Sequence, residues 1–200
     1  MSASDVDVSH LPTTTFSHRS LAWWGTLGFM VIEGFTLCLL AAAYFYLRLN
    51  EYDWPPRPTP DPRLLAPTVN TVLLLLTIIP MARASAAAHR FDRRGVVRWL
   101  AIATAMALVS IVLRGFELAA LDIHYAEHAY ASVSWALVVA HGTLLLTDFF
   151  ETGVFTAMFA SGRAEVKHYP DVSDAALYQY FLSAAAVPVY LIVYWGPRLM

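Results

Sequence analysis

The stretch LAWWGTLGFMVIEGFTLCLLAAAYFYL, residues 21–47, holds a single charged side chain, Glu33, in 27 residues. A helix needs about 20 apolar residues to cross a hydrocarbon core, so this run reads as a membrane span. An ionised carboxylate near its middle costs about 2.5–3.5 kcal/mol on the insertion scale. Glu33 is therefore either used or hidden, and its own helix offers nothing to neutralise it. The arginine that its own segment holds, Arg48, is fifteen residues on, about 22 Å along a helix. The expectation is a carboxyl that is protonated or hydrogen-bonded to another helix, as interhelical glue or as a proton-handling group.

Working outward, the chain of 200 residues is 58% hydrophobic and only 14% charged, with mean hydropathy +0.53, which places it in the membrane class. With the first segment taken as 20–49, further apolar segments fall at 64–89, 96–121, 129–161 and 175–197. The prediction is an all-α bundle of five transmembrane helices, one domain over 20–200, behind a polar tail at 1–19 that has no basic start or cleavage pattern of a signal peptide. Pro80 and Pro188 lie inside the second and fifth segments and predict kinks. Six prolines between 50 and 67 forbid a helix there and predict an extended surface loop.

Charge placement sets the orientation. Arg19, Arg83, Arg90, Arg93, Arg94, Arg98, Arg163 and Lys167 fall on one side of a five-span chain, against Arg48, Arg57, Arg63, Arg114 and Arg198 on the other. Eight against five, clustered on one short loop, predicts a cytoplasmic N-terminus and a periplasmic C-terminus. Trp23, Trp24, Trp54, Trp99 and Trp195 sit near segment ends, as an interfacial belt of amphipathic rings does. The near-balanced net charge of −2 gives no reason to expect a nucleic-acid partner. Cys38 is the lone cysteine, which excludes an intrachain disulfide and a thiolate metal cluster.

Small residues mark where helices should approach closely: Gly34, Cys38 and Ala41 in the first span, Ala103 and Ala107 in the third. The third span continues that face with Ser110, Arg114 and Glu117, so that Arg114 and Glu117 can form an ion pair at i,i+3. The fourth span carries Ser134, His141, Asp148 and Thr152 on one face, with Glu151 one turn away. Three readings fit that face: helix-to-helix hydrogen bonds, a proton relay, or part of a metal site. No His-pair spacing supports the last. Glu33, Glu117, His141, Asp148 and Glu151 are thus the candidate intramembrane polar residues. No catalytic residue is assigned.

Three stretches together resemble subunit III of the haem-copper oxidases. The first runs from Trp23-Trp24-Gly25 through Glu33-Gly34-Phe35 to Tyr44-Phe45-Tyr46. The second is Pro67-Thr68-Val69-Asn70-Thr71, similar to that family's proline-led Leu-Asn-Thr helix start. The third combines Arg114-Gly115-Phe116-Glu117, Ala140-His141-Gly142 and the closing run from Tyr190 to Trp195. The chain departs from the pattern at Leu144, where a second His is usual, at Tyr180, Phe181 and Ser183, where the family has His-Phe and a following Asp, and at Asp148, which replaces a small residue.

The resemblance implies a non-catalytic subunit of a respiratory terminal oxidase in a bacterial inner membrane, with haem and copper carried by partner subunits I and II. It implies structural phospholipid, support of proton uptake, and Glu33, Glu117 and His141 at the family's intramembrane polar positions. An accessory subunit of a nitric oxide reductase-type complex is compatible with it. From the residues alone, a small proton-coupled transporter or channel lined by Glu33, Glu117, His141 and Asp148 is the other reading, although an odd number of spans without an internal repeat argues against it.

Overall fold

A computed structural model describes residues 14–199, so most of the polar tail expected at 1–19 lies outside the described residues. Five long helices follow one another: α1 Leu21–Asn50, α2 Leu65–His89, α3 Arg93–Ala120, α4 Ala129–Ala160 and α5 Tyr169–Tyr190. The last continues through a π-helical turn, Leu191–Trp195, into a closing turn, Gly196–Leu199. All five are long and apolar enough to cross a membrane, and no strand occurs among the described residues.

Local chemistry explains the helix ends. Ser20 caps α1 by accepting from the Ala22 amide at 3.2 Å, and the His128 ring caps α4 by accepting from Ala131 N at 3.0 Å. Arg93 donates to the carbonyls of Phe159 and Ala160 at 2.7 and 2.9 Å, so α3 satisfies the open C-terminal end of α4. Two predicted boundaries move. The third helix begins at Arg93 rather than 96, and the fifth at Tyr169 rather than 175, with Pro170 in its first turn. Hydropathy detects the slab that contacts lipid, whereas these helices extend past it on polar residues.

In the bundle, α2 packs between α3 and α5, and α4 closes the ring by touching α3 and α5. Helix α1 lies on the outside, against α4 and α5. One end of the interior is filled by Met81, Leu100, Phe159, Tyr169 and Val172, the other by Tyr44, Tyr130, Leu137, Val193 and Tyr194, with Leu74, Leu145 and Leu182 between. The helices run unbroken through Pro80 and Pro188.

The proline-rich loop is more than an extended spacer. Trp54 turns inward and meets Tyr44 and Tyr130 edge-on, at 5.1 and 5.2 Å between ring centroids. Arg198 ties the same loop to the chain's far end by donating to Pro62 O at 2.6 Å. Trp54 is thus a packed residue as well as a boundary marker.

The small-residue stripes divide. Ala103 and Ala107 are buried in α3, as expected. In α1, Gly34 meets the Phe181 ring, but Cys38 is exposed and Ala41 only half-buried. Within this chain Cys38 is not buried against another helix. Only Leu37 and Tyr44 of α1 are fully buried, and a groove lined by Gly34, Cys38, Ala41, Phe181 and Ala185 separates the stripe from α5.

Candidate functional site

The deepest polar group centres on Glu117, which is 1% exposed. Its carboxylate accepts from Asn70 Nδ2 of α2 at 2.6 Å and from Arg114 Nη1, one turn earlier on α3. Arg114 turns its other terminal nitrogen to His141 Nδ1 of α4 at 2.8 Å. His141 Nε2 in turn lies 3.0 Å from the carbonyl of Leu182 on α5. Arginine can only donate and a carbonyl can only accept, so His141 takes the neutral tautomer with its proton on Nε2. One chain of hydrogen bonds thus joins α2, α3, α4 and α5 in an apolar interior, where each unpaired polar group would be costly. Arg114 and Glu117 form the ion pair expected from their i,i+3 spacing.

A second network lies between α2 and α5. Gln179 donates to Thr77 Oγ1 at 2.8 Å and to Ser183 Oγ at 3.2 Å, and Ser183 donates to Leu74 O at 2.9 Å. Sequence reasoning passed over Thr77 and Gln179. Their burial, at 1% and 3% exposure, is visible only once α2 and α5 are paired. The signal that existed was Ser183, noted as a departure from the family and now seen to bind the neighbouring helix.

Glu33 is half-buried and finds a hydrogen-bond partner on another helix, one of the two fates expected of it. Tyr178 of α5 donates to its Oε2 at 2.7 Å. Tyr178 is another residue that the sequence reading did not single out. Glu33, Tyr178, Thr147 and Glu151 share a cleft of about 360 Å³ between α1, α4 and α5. Glu151, expected as a companion of Asp148, is exposed into this cleft alongside Glu33.

On α4, Ser134, His141, Asp148 and Thr152 are all buried on one face, as their spacing requires. They do not form a string. Thr152 bonds back to Asp148 O at 2.9 Å, while Asp148 Oδ1 and Ser134 Oγ lack partners. Of this face only His141 reaches other helices through a hydrogen bond. The described residues contain no group of three His, Cys, Asp or Glu placed to hold a metal ion.

No family model matches the chain. It is similar to cytochrome c oxidase subunit 3 of Synechocystis sp., at 26% identity over 199 residues covering 96% of this chain and 84% of that protein. It is also similar to cytochrome c oxidase subunit 3 of Thermostichus vulcanus, at 25% identity over 178 residues covering 88% of each. Both relatives match along most of their length. Over nearly its whole length the chain is thus similar, at about a quarter identity, to proteins named cytochrome c oxidase subunit 3.

Proposed function

We propose that this protein is the non-catalytic subunit III of a respiratory haem-copper oxidase in a bacterial inner membrane. It associates with subunits I and II, which carry the haem and copper, stabilises that core, retains phospholipid and supports proton uptake.

The observation that carries this reading is the use made of the buried polar residues. Arg114, Glu117, Asn70 and His141 are spent on one another and on Leu182 O, in a lock across four helices. Such a lock suits a scaffold, because hydrogen bonds that span four helices inside an apolar bundle favour one arrangement of those helices, even with Asn70 Oδ1 and Arg114 Nε left without partners. Glu33 and Glu151 remain in an open cleft, where an acidic pair can exchange protons with a neighbouring path. The apolar outer face of α1, with Phe29, Ile32, Phe35 and Leu39 exposed, is left for lipid or a partner.

The test is an oxidase preparation compared with and without this chain. The stripped core is expected to keep its haem spectrum while its rate decays faster during sustained turnover and its proton uptake slows. The Glu33→Gln complex is expected to share the proton-uptake defect with its assembly intact. A stripped core as durable and as fast in proton uptake as the complete complex would remove the proposed role.

A further inference from the structure

We infer that the arginine cluster around the loop between α2 and α3 binds the phosphate of an anionic phospholipid headgroup, with Arg94 and Arg98 as its principal ligands. Between residues 81 and 100 the chain carries five arginines, at 83, 90, 93, 94 and 98, and one acid, Asp92. A bias in topology requires positive charge only on that side of the membrane. It does not require guanidinium groups to converge.

Their roles differ. Arg93 is committed to the carbonyls that end α4. The Arg83 and Arg98 guanidinium carbons lie 5.2 and 5.3 Å from the centre of the Trp99 ring, which holds both side chains close to an indole of the kind that favours the headgroup level. Arg94 and Arg98 are exposed one helical turn apart, and none of Arg83, Arg90, Arg94 and Arg98 has an ion-pair partner among the described residues. Asp92 lines the neighbouring cleft with Arg83 and Arg90, its carboxylate folded against Gly95 where a Cβ would collide with it.

Arg93, Arg94, Val97, Arg98 and Ala160 enclose a cleft of about 530 Å³ with no acid in its lining. Two guanidinium groups one turn apart can each present a donor pair to the non-bridging oxygens of one phosphodiester. Val97 and Ala160 offer an apolar wall beside it for the glycerol and the first acyl carbons. A zwitterionic headgroup brings its own ammonium into this field and is disfavoured, so the preference is for a lipid of net negative charge. This assignment rests on the phospholipid retention proposed above and gives it a site and a headgroup class, from the geometry at this end of the bundle.

The experiment is native mass spectrometry of the full chain, or of the complex that it travels in, released from mild detergent after incubation with equal amounts of dioleoyl phosphatidylglycerol and dioleoyl phosphatidylcholine. The wild type is expected to retain phosphatidylglycerol preferentially. Arg94→Gln with Arg98→Gln is expected to lower that retention about tenfold, since each cation near an anionic surface contributes on the order of a factor of several. Arg57→Gln, in the loop at the other end, is expected to leave it unchanged. Arg94→Lys with Arg98→Lys is expected to fall between, having kept the charge and lost the fork. Millimolar inorganic phosphate is expected not to displace the lipid. Equal retention of the two lipids by the wild type, unchanged retention by a folded double Gln variant, or complete displacement by phosphate would each overturn the assignment, the last by making the site one for free phosphate.

Discussion

Arg114 donates to Nδ1 of His141 at 2.8 Å while the same guanidinium holds Glu117, so one side chain couples α3 to α4 and pairs with a fully buried acid. Removing Arg114 leaves Glu117 without its counter-charge and His141 without its donor. Arg114→Leu is expected to destabilise the detergent-solubilised protein by about 3–5 kcal/mol, as breakage of a buried pair does. Adding Glu117→Leu is expected to recover a large part of that loss, because no uncompensated charge then remains. Thermal unfolding of both variants checks this, and a double variant less stable than the single one would contradict it.

The network between α2 and α5 should matter less per bond. Gln179→Leu removes the donor to Thr77 and Ser183 but leaves Ser183 bonded to Leu74 O. Hydrogen bonds between membrane helices average about 0.6 kcal/mol and reach about 1.7. The expected loss is about 1 kcal/mol, well below that of Arg114→Leu, and the same unfolding measurement ranks the two networks.

Trp54 is the anchor of the proline-rich loop. Trp54→Ala removes two edge-on contacts with Tyr44 and Tyr130 while leaving the Arg198 to Pro62 bond in place. Aromatic pairs of this kind contribute about 0.5–1.5 kcal/mol each beyond the area that they bury. Limited proteolysis is expected to cut the 51–63 segment several-fold faster in the variant, with the helices spared. An unchanged cleavage rate would mean that the loop is fixed without the indole, by Arg198 to Pro62 O, Thr59 to His128 and Arg63 N to Ala120 O.

Orientation is open to direct labelling. In a Cys38→Ser background, single cysteines replacing Arg57 and Arg90 lie at opposite ends of the bundle, on the loops after α1 and α2. With the positive-inside assignment, a membrane-impermeant maleimide applied to intact spheroplasts labels the cysteine at 57 and not the one at 90. The reverse pattern would invert the topology.

The five spans were legible because a membrane helix writes itself in hydropathy, and the ion pair was legible because i,i+3 spacing is local. The Glu33 partner was not. Tyr178 lies on α5, 145 residues away, and only the packing of α1 against α4 and α5 brings the hydroxyl to the carboxylate. Gln179 and Thr77 escaped notice for the same reason, since a single polar residue in an apolar run carries no sign of its partner. The α1 stripe was legible only in part, because small residues permit close approach without requiring it: Gly34 meets Phe181 and Leu37 and Tyr44 are buried, while Cys38 is exposed within this chain. The start of α5 was read late because Asp171, Ser173 and Asp174 are polar, although Asp174 is buried in the bundle.

The oxidase assignment is tested most directly by the reduced-minus-oxidised visible spectrum of material that co-purifies with a C-terminally tagged chain in mild detergent. The account predicts haem bands together with the core subunits of an oxidase, in a fixed ratio to the tagged chain. A haem-free, self-associated protein would contradict it, and Glu33, Glu117, His141 and Asp148 would then be examined as a transport path of the chain's own.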